Sequence, residues 1–153
     1  MSRRFLNSTP ILAVTLFLFA ASASFAAGTV LPNGDLRIAK KEVTPKATFY
    51  PYKLGSLLIE VLALRAPDGT VRTAFNTCQV CYNSGRGWYT QQGDVLVCNN
   101  CGNRFKASQV ELIKGGCNPV PITADLKRED ADFITIPRAL FEQAKPLFLK
   151  WKK

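Results

Sequence analysis

Apolar residues in this chain fall into short runs broken by glycine, proline and asparagine, a pattern that predicts strands and turns more often than helices. The strongest run is Leu57-Leu58-Ile59-Glu60-Val61-Leu62-Ala63-Leu64 within Ser56–Arg65. Its length alone suits a strand or a helix, but Ala66-Pro67-Asp68-Gly69-Thr70 follows at once. Asp-Gly is a tight-turn signal, and Val71-Arg72-Thr73-Ala74-Phe75 alternates as a returning strand does. A β-hairpin therefore delivers the chain to Cys78. A smaller hairpin comes next, with Gly87–Thr90 outgoing, Gln91–Asp94 turning and Val95–Val97 returning to Cys98.

The flanks read less regularly. Leu31–Tyr52 mixes apolar groups with Pro32, Gly34, Pro45 and Pro51, which predicts irregular chain with one or two short strands. Leu36, Ile38 and Val43 fit one face of such a strand. Lys114–Pro119 reads as a flexible loop, and Phe133–Ile136 as a late strand. Pro137 then opens a helix over Arg138–Ala144, which Pro146 ends or kinks before Leu147-Phe148-Leu149 packs back on the sheet. The pattern as a whole predicts a mainly β (β-rich α+β) fold with one C-terminal helix.

The first residues follow a different rule. Arg3 and Arg4 precede an apolar stretch from Ile11 to Ala20, and small residues run on to Ala27. Positive, apolar, then small is the order of a secretory signal, with cleavage expected after Ala26. Ser2-Arg3-Arg4-Phe5-Leu6 also resembles a twin-arginine signal one residue short, so both the Sec and the twin-arginine routes fit. An uncleaved membrane anchor is the other reading, since residues 5–34 carry no charge. The expected organisation is a signal at 1–26 and a single metal-binding domain at 27–153, in the periplasm or cell envelope.

Charge adds little. The formal net charge is +9 over 153 residues, spread along the chain except for Lys145, Lys150, Lys152 and Lys153. A solvated surface accounts for it, and docking to an acidic partner or an anionic membrane face is the functional alternative. No basic stripe interleaved with aromatics marks a nucleic-acid interface.

The chemistry lies in the cysteines. Cys78-Gln79-Val80-Cys81 and Cys98-Asn99-Asn100-Cys101 stand sixteen residues apart, a spacing typical of two metal-binding knuckles. Each Cys-x-x-Cys turn aims two sulfurs at one centre, and two turns at hairpin ends supply four thiolates. Thiolates select zinc, copper(I) or iron–sulfur clusters, and the chain has no histidine to alter that choice. Disulfide scaffolds scatter their cysteines to staple distant loops, whereas four of these form two compact turns. A c-type haem is excluded, because Tyr82 and Gly102 stand where the motif needs histidine. Neither pair precedes a helical pattern, which weighs against a thioredoxin-like oxidoreductase. Gly102 suits the positive φ of a knuckle turn, while the first knuckle has Tyr82-Asn83 there.

The run Gly93-Asp94-Val95-Leu96-Val97-Cys98-Asn99-Asn100-Cys101-Gly102-Asn103-Arg104-Phe105, followed by Gly115-Gly116-Cys117-Asn118-Pro119, resembles the C-terminal domain of the FtrD-like membrane iron–sulfur-containing proteins of bacterial ferrous-iron uptake systems. Pro67-Asp68-Gly69-Thr70 matches that domain as well, and the likeness covers about 47–122. It implies an iron–sulfur centre held by Cys78, Cys81, Cys98 and Cys101, with Cys117 close by as a further candidate. It also implies electron transfer in iron acquisition, with a redox or transport protein of the envelope, such as a membrane permease, as partner. The second knuckle is similar to the outer box of a Rieske domain, but without histidines Rieske ligation is excluded. A rubredoxin-like or zinc-ribbon-like site is the shape expected. Trp88, Tyr89, Tyr82 and Phe105 are candidates to screen it from water, and Arg104 to act on its potential. Two other readings stay open: a structural zinc module and an envelope thiol–disulfide oxidoreductase. No residue set for substrate turnover is visible, so the expected role is carrier or accessory rather than stand-alone enzyme.

Overall fold

The computed structural model describes residues 28–153; the expected signal at 1–26 lies outside the described residues. The strands are β1 (Thr29–Val30), β2 (Leu36–Ala39), β3 (Thr48–Leu54), β4 (Leu57–Arg65), β5 (Val71–Cys78), β6 (Tyr89–Gln92), β7 (Val95–Cys98), β8 (Arg104–Lys106), β9 (Pro119–Pro121), β10 (Arg128–Glu129) and β11 (Phe133–Ile136). One α-helix, α1 (Arg138–Ala144), follows, and a 3-10 turn over Lys145–Phe148 continues it past Pro146. The β-rich fold with one late helix is the architecture expected. Among the described residues no helix is long and apolar enough to cross a membrane.

Among the described residues three antiparallel sheets result, with orders β1-β2-β11-β10, β3-β4-β5-β9 and β6-β7-β8. The Asp68-Gly69 hairpin forms as expected, pairing Arg65 with Val71 and Val61 with Phe75. The second hairpin turns more tightly than expected: Gln92 pairs with Val95, so only Gly93 and Asp94 turn, with Gly93 at φ 60°.

Strand β3 is a longer element than Pro51 suggested. It lies at the edge of its sheet, where Pro51 is exposed and its missing N–H breaks no inner ladder. Strand β9, bounded by two prolines, lies at the opposite edge for the same reason.

The alternation of β5 does not mean one wet face. All eight of its residues are buried. Val71 and Phe75 join a core with Leu36, Ile38, Ile59, Val61, Ile134 and Phe141, where Tyr52 stacks on Phe141 at 3.7 Å between ring centroids. Ala74 and Cys78 join a second core with Leu62, Leu64, Tyr89, Leu96, Cys98 and Phe105. The β3-β4-β5-β9 sheet thus carries a core on each face, and the polar groups of β5 are satisfied inside. Arg72 donates to the Ser108 carbonyl (2.7 Å) and pairs with Asp68. Thr73 Oγ1 donates to the Ile122 carbonyl at 3.1 Å.

Candidate metal centre

The cysteines gather at one end of the second core. Cys78 closes β5, where β9 pairs Phe75 with Val120 but Cys78 with Pro119. The residues left over form a bulge, a device that re-aims the side chains at a strand end. Cys98 closes β7 directly opposite Tyr89 of β6. Both cysteines are buried, Cys81 and Cys117 are half-buried, and Cys101 is exposed.

Local hydrogen bonds shape each knuckle. The Cys81 N–H points at the Cys78 Sγ (3.3 Å), the donation expected of a Cys-x-x-Cys turn. In the second knuckle, Gly102 at φ 73° donates to the Cys98 carbonyl (2.9 Å). The first knuckle runs on through a 3-10 turn, Tyr82–Ser84, and its left-handed glycine comes later, at Gly85 with φ 79°. Chain 87–89 ties the two knuckles together. The Gly87 carbonyl accepts from the Cys78 N–H (2.6 Å), and the Trp88 carbonyl accepts from the backbone and side chain of Asn99 (2.8 Å each). Gly87 passes so close to Cys81 that any Cβ there would collide with the Cys81 carbonyl and the Tyr82 nitrogen.

The Cys117 loop is fastened to both knuckles rather than loose. Gln79 of the first donates its N–H to the Asn118 carbonyl (3.1 Å) and accepts from the Gly115 N–H (3.0 Å). Asn103, just past the second, donates to the Cys117 carbonyl at 2.9 Å. The Asn118 side chain donates back to the Gly115 carbonyl. These clamp residues read as ordinary turn formers in the sequence, because each acts on a partner fixed only by the fold.

The Sγ atoms of Cys78, Cys81, Cys98 and Cys117 all lie within 4.8 Å of one another. Cys101 stands at the rim with its Sγ 3.0 Å from that of Cys117. The mutually close quartet therefore contains Cys117, whereas sequence spacing and family likeness pointed to Cys101. Arg104 faces away, donating to Gln92 at 3.1 Å. Phe105 and Tyr89 lie in the same core as the buried Cys78 and Cys98, while Trp88 packs on the other core, beneath the Lys152 ammonium (4.8 Å).

Burial and hydrogen bonding divide the thiols. Burial alone would push the Cys78 thiol up. Hydrogen bonds from Tyr89, from the Cys81 and Val80 N–H groups and from Cys117 outweigh it and hold Cys78 below the usual thiol range. Cys101 comes down to about 7, chiefly through Cys117 and then the Asn103 N–H. Burial raises Cys98 and Cys117, and it takes Cys81 to about 11. A metal that binds here displaces the protons of the raised thiols, so loading is coupled to proton release.

Five soft donors, two of them buried and one receiving a backbone N–H, suit zinc or an iron–sulfur centre. Four sulfurs around one tetrahedral ion at about 2.3 Å would lie about 3.8 Å apart, inside the observed limit of 4.8 Å. A cluster of several irons needs wider spacing. Cys101, exposed at the rim, is the sulfur least enclosed by packing.

A family model described as "Membrane iron-sulfur containing protein FtrD-like" matches residues 43–148, beyond both ends of the stretch carrying the sequence likeness. No curated protein and no solved structure matches the chain.

Proposed function

The chain belongs to the FtrD-like family of membrane iron–sulfur containing proteins, and on that premise we propose that it is an exported electron carrier serving iron uptake. The observation that carries this reading is the convergence of Cys78, Cys81, Cys98 and Cys117, with Cys101 at their edge. A bound iron–sulfur cluster supplies reversible one-electron exchange. The cysteines would hold it. Phe105 and Tyr89, both buried in the same core, would shield its inner side from water, and the exposed Cys101 would mark the side from which a partner approaches.

All-thiolate ligation favours a potential below that of a Rieske centre, since anionic sulfurs replace neutral imidazoles. The partner in this reading is a redox or transport protein of the envelope, and the metal-binding domain spans 27–153 behind the signal at 1–26. A structural zinc site is the second reading, favoured by the short spacing of the four sulfurs around a single tetrahedral ion.

Purification without air, followed by metal analysis and visible spectroscopy, separates the two. Bound iron with sulfide, and absorbance that bleaches on reduction, is the expected result. One zinc per chain in a colourless protein would establish the second reading.

A further inference from the structure

Tyr89 is a large polar side chain sealed inside the second core, with 1% of its surface exposed. Its hydroxyl lies 3.8 Å from the Cys117 Sγ, and the Cys78 Sγ is 3.3 Å from that same sulfur. Buried hydroxyls are normally paired, and the partner found for this one is a sulfur. Its backbone is held as firmly. Asn76 accepts from the Tyr89 N–H (2.8 Å), reaches the Tyr89 carbonyl at 3.5 Å, and is itself fixed by Glu60 (2.7 Å). Cys98, directly across the ladder, faces the same core.

From this placement the geometry points to Tyr89 as a positioning and tuning residue that donates its hydroxyl proton in a hydrogen bond to a metal-bound sulfur, Cys117 foremost, and thereby raises the reduction potential of the centre. The direction of donation follows from chemistry: a sulfur bound to metal carries no proton, so only the phenol can donate. Hydrogen bonds to ligand sulfurs withdraw negative charge and favour the more reduced, more negative state. The inference rests on the iron–sulfur reading, and its test is arranged to fail separately from it.

The test compares wild type with Tyr89→Phe, which keeps the ring and removes the donor. Tyr52→Phe is the control, because it removes a buried hydroxyl bound to the Gly34 carbonyl at 2.7 Å in the other core. In the iron-loaded protein, Tyr89→Phe should lower the midpoint potential by about 59 mV, a tenfold loss of preference for the reduced form in a one-electron couple. Tyr52→Phe should leave it unchanged. A variant incorporating 3-fluorotyrosine at position 89, a stronger donor of nearly the same shape, should shift the potential upward, and it serves where Tyr89→Phe folds poorly. Equal potentials in wild type and these variants would overturn the inference. Should iron analysis of wild type sink the iron–sulfur reading itself, the cobalt(II)-loaded proteins decide. Loss of the donor should then move the thiolate-to-cobalt absorption band to lower energy, and an unmoved band would refute the role of Tyr89.

Discussion

The sulfurs of Cys78 and Cys117 lie 3.3 Å apart although the two residues are 39 positions apart in the chain. The contact depends on β9 pairing beside β5, with Pro119 set against Cys78, and on the clamps that Gln79, Asn103 and Asn118 place on the intervening loop. It makes the fifth cysteine a member of the close quartet and leaves Cys101 at the rim.

Serine substitutions should therefore rank by position. Cys78→Ser, Cys98→Ser and Cys117→Ser are expected to lose most of the bound metal, and Cys101→Ser to retain more than any of them. Metal content per folded chain is the measurement. Full retention in Cys117→Ser together with loss in Cys101→Ser would restore the ligand set drawn from spacing.

Gly87 tests how closely the second hairpin must pass the first knuckle. Gly87→Ala drives a methyl into the Cys81 carbonyl, which the neighbouring Cys78 N–H to Gly87 carbonyl bond leaves little room to avoid. The expected cost is about 1–3 kcal/mol in urea unfolding of the metal-free protein, with weaker metal binding as well. Gly93, where an added Cβ meets nothing within 4 Å, serves as a contrast for space alone, though its positive φ adds strain to any substitution.

The segment leading to Cys117 is pinned midway by a charge pair whose lysine is buried and whose glutamate is half-buried. Glu111, in the left-handed region at φ 70°, accepts from Lys127 at 2.6 Å and from the Thr73 N–H at 2.9 Å. Lys127→Met leaves that half-buried carboxylate without its cation, though still bonded to the Thr73 N–H, and should cost about 1–3 kcal/mol. Adding Glu111→Gln should recover part of the loss. Denaturant midpoints at constant slope provide the readout, and additive single effects would show that the two groups do not act as a pair.

Asp35 sets an acid limit on stability. Its Oδ1 accepts the Arg138 N–H at the start of α1 (2.9 Å), and Arg128 approaches Oδ2 at 2.5 Å. The Arg138 N–H is the largest cause holding this carboxyl below its ordinary value, and it outweighs burial. A lowered folded pKa stabilises the protein above the unfolded value of about 3.9, and the contribution disappears as pH falls through the folded one. Asp35→Asn keeps an acceptor for the Arg138 N–H but removes the charge, and should cost about 1 kcal/mol near pH 7, in the range of a carboxylate at a helix start. Its difference from wild type should close below about pH 4. A difference independent of pH would mean that the charge is not responsible.

Local chemistry was legible in the sequence. Asp68-Gly69 announced the first hairpin, Pro137 and Pro146 bracketed the helix, and the two Cys-x-x-Cys turns announced a thiolate site, because each of these signals acts on neighbours a few residues away. The burial of both faces of β5, the edge strand through Pro51, the clamps on the Cys117 loop and the singling out of Tyr89 over Trp88 beside the sulfurs were not legible. Each depends on which sheet lies over which, and that is decided when distant apolar faces find one another. The kind of site follows from residue types at short spacing. The choice between Cys101 and Cys117 for its inner position arises only from tertiary packing, since a sulfur's neighbours are set by the layers around it and not by its place in the chain.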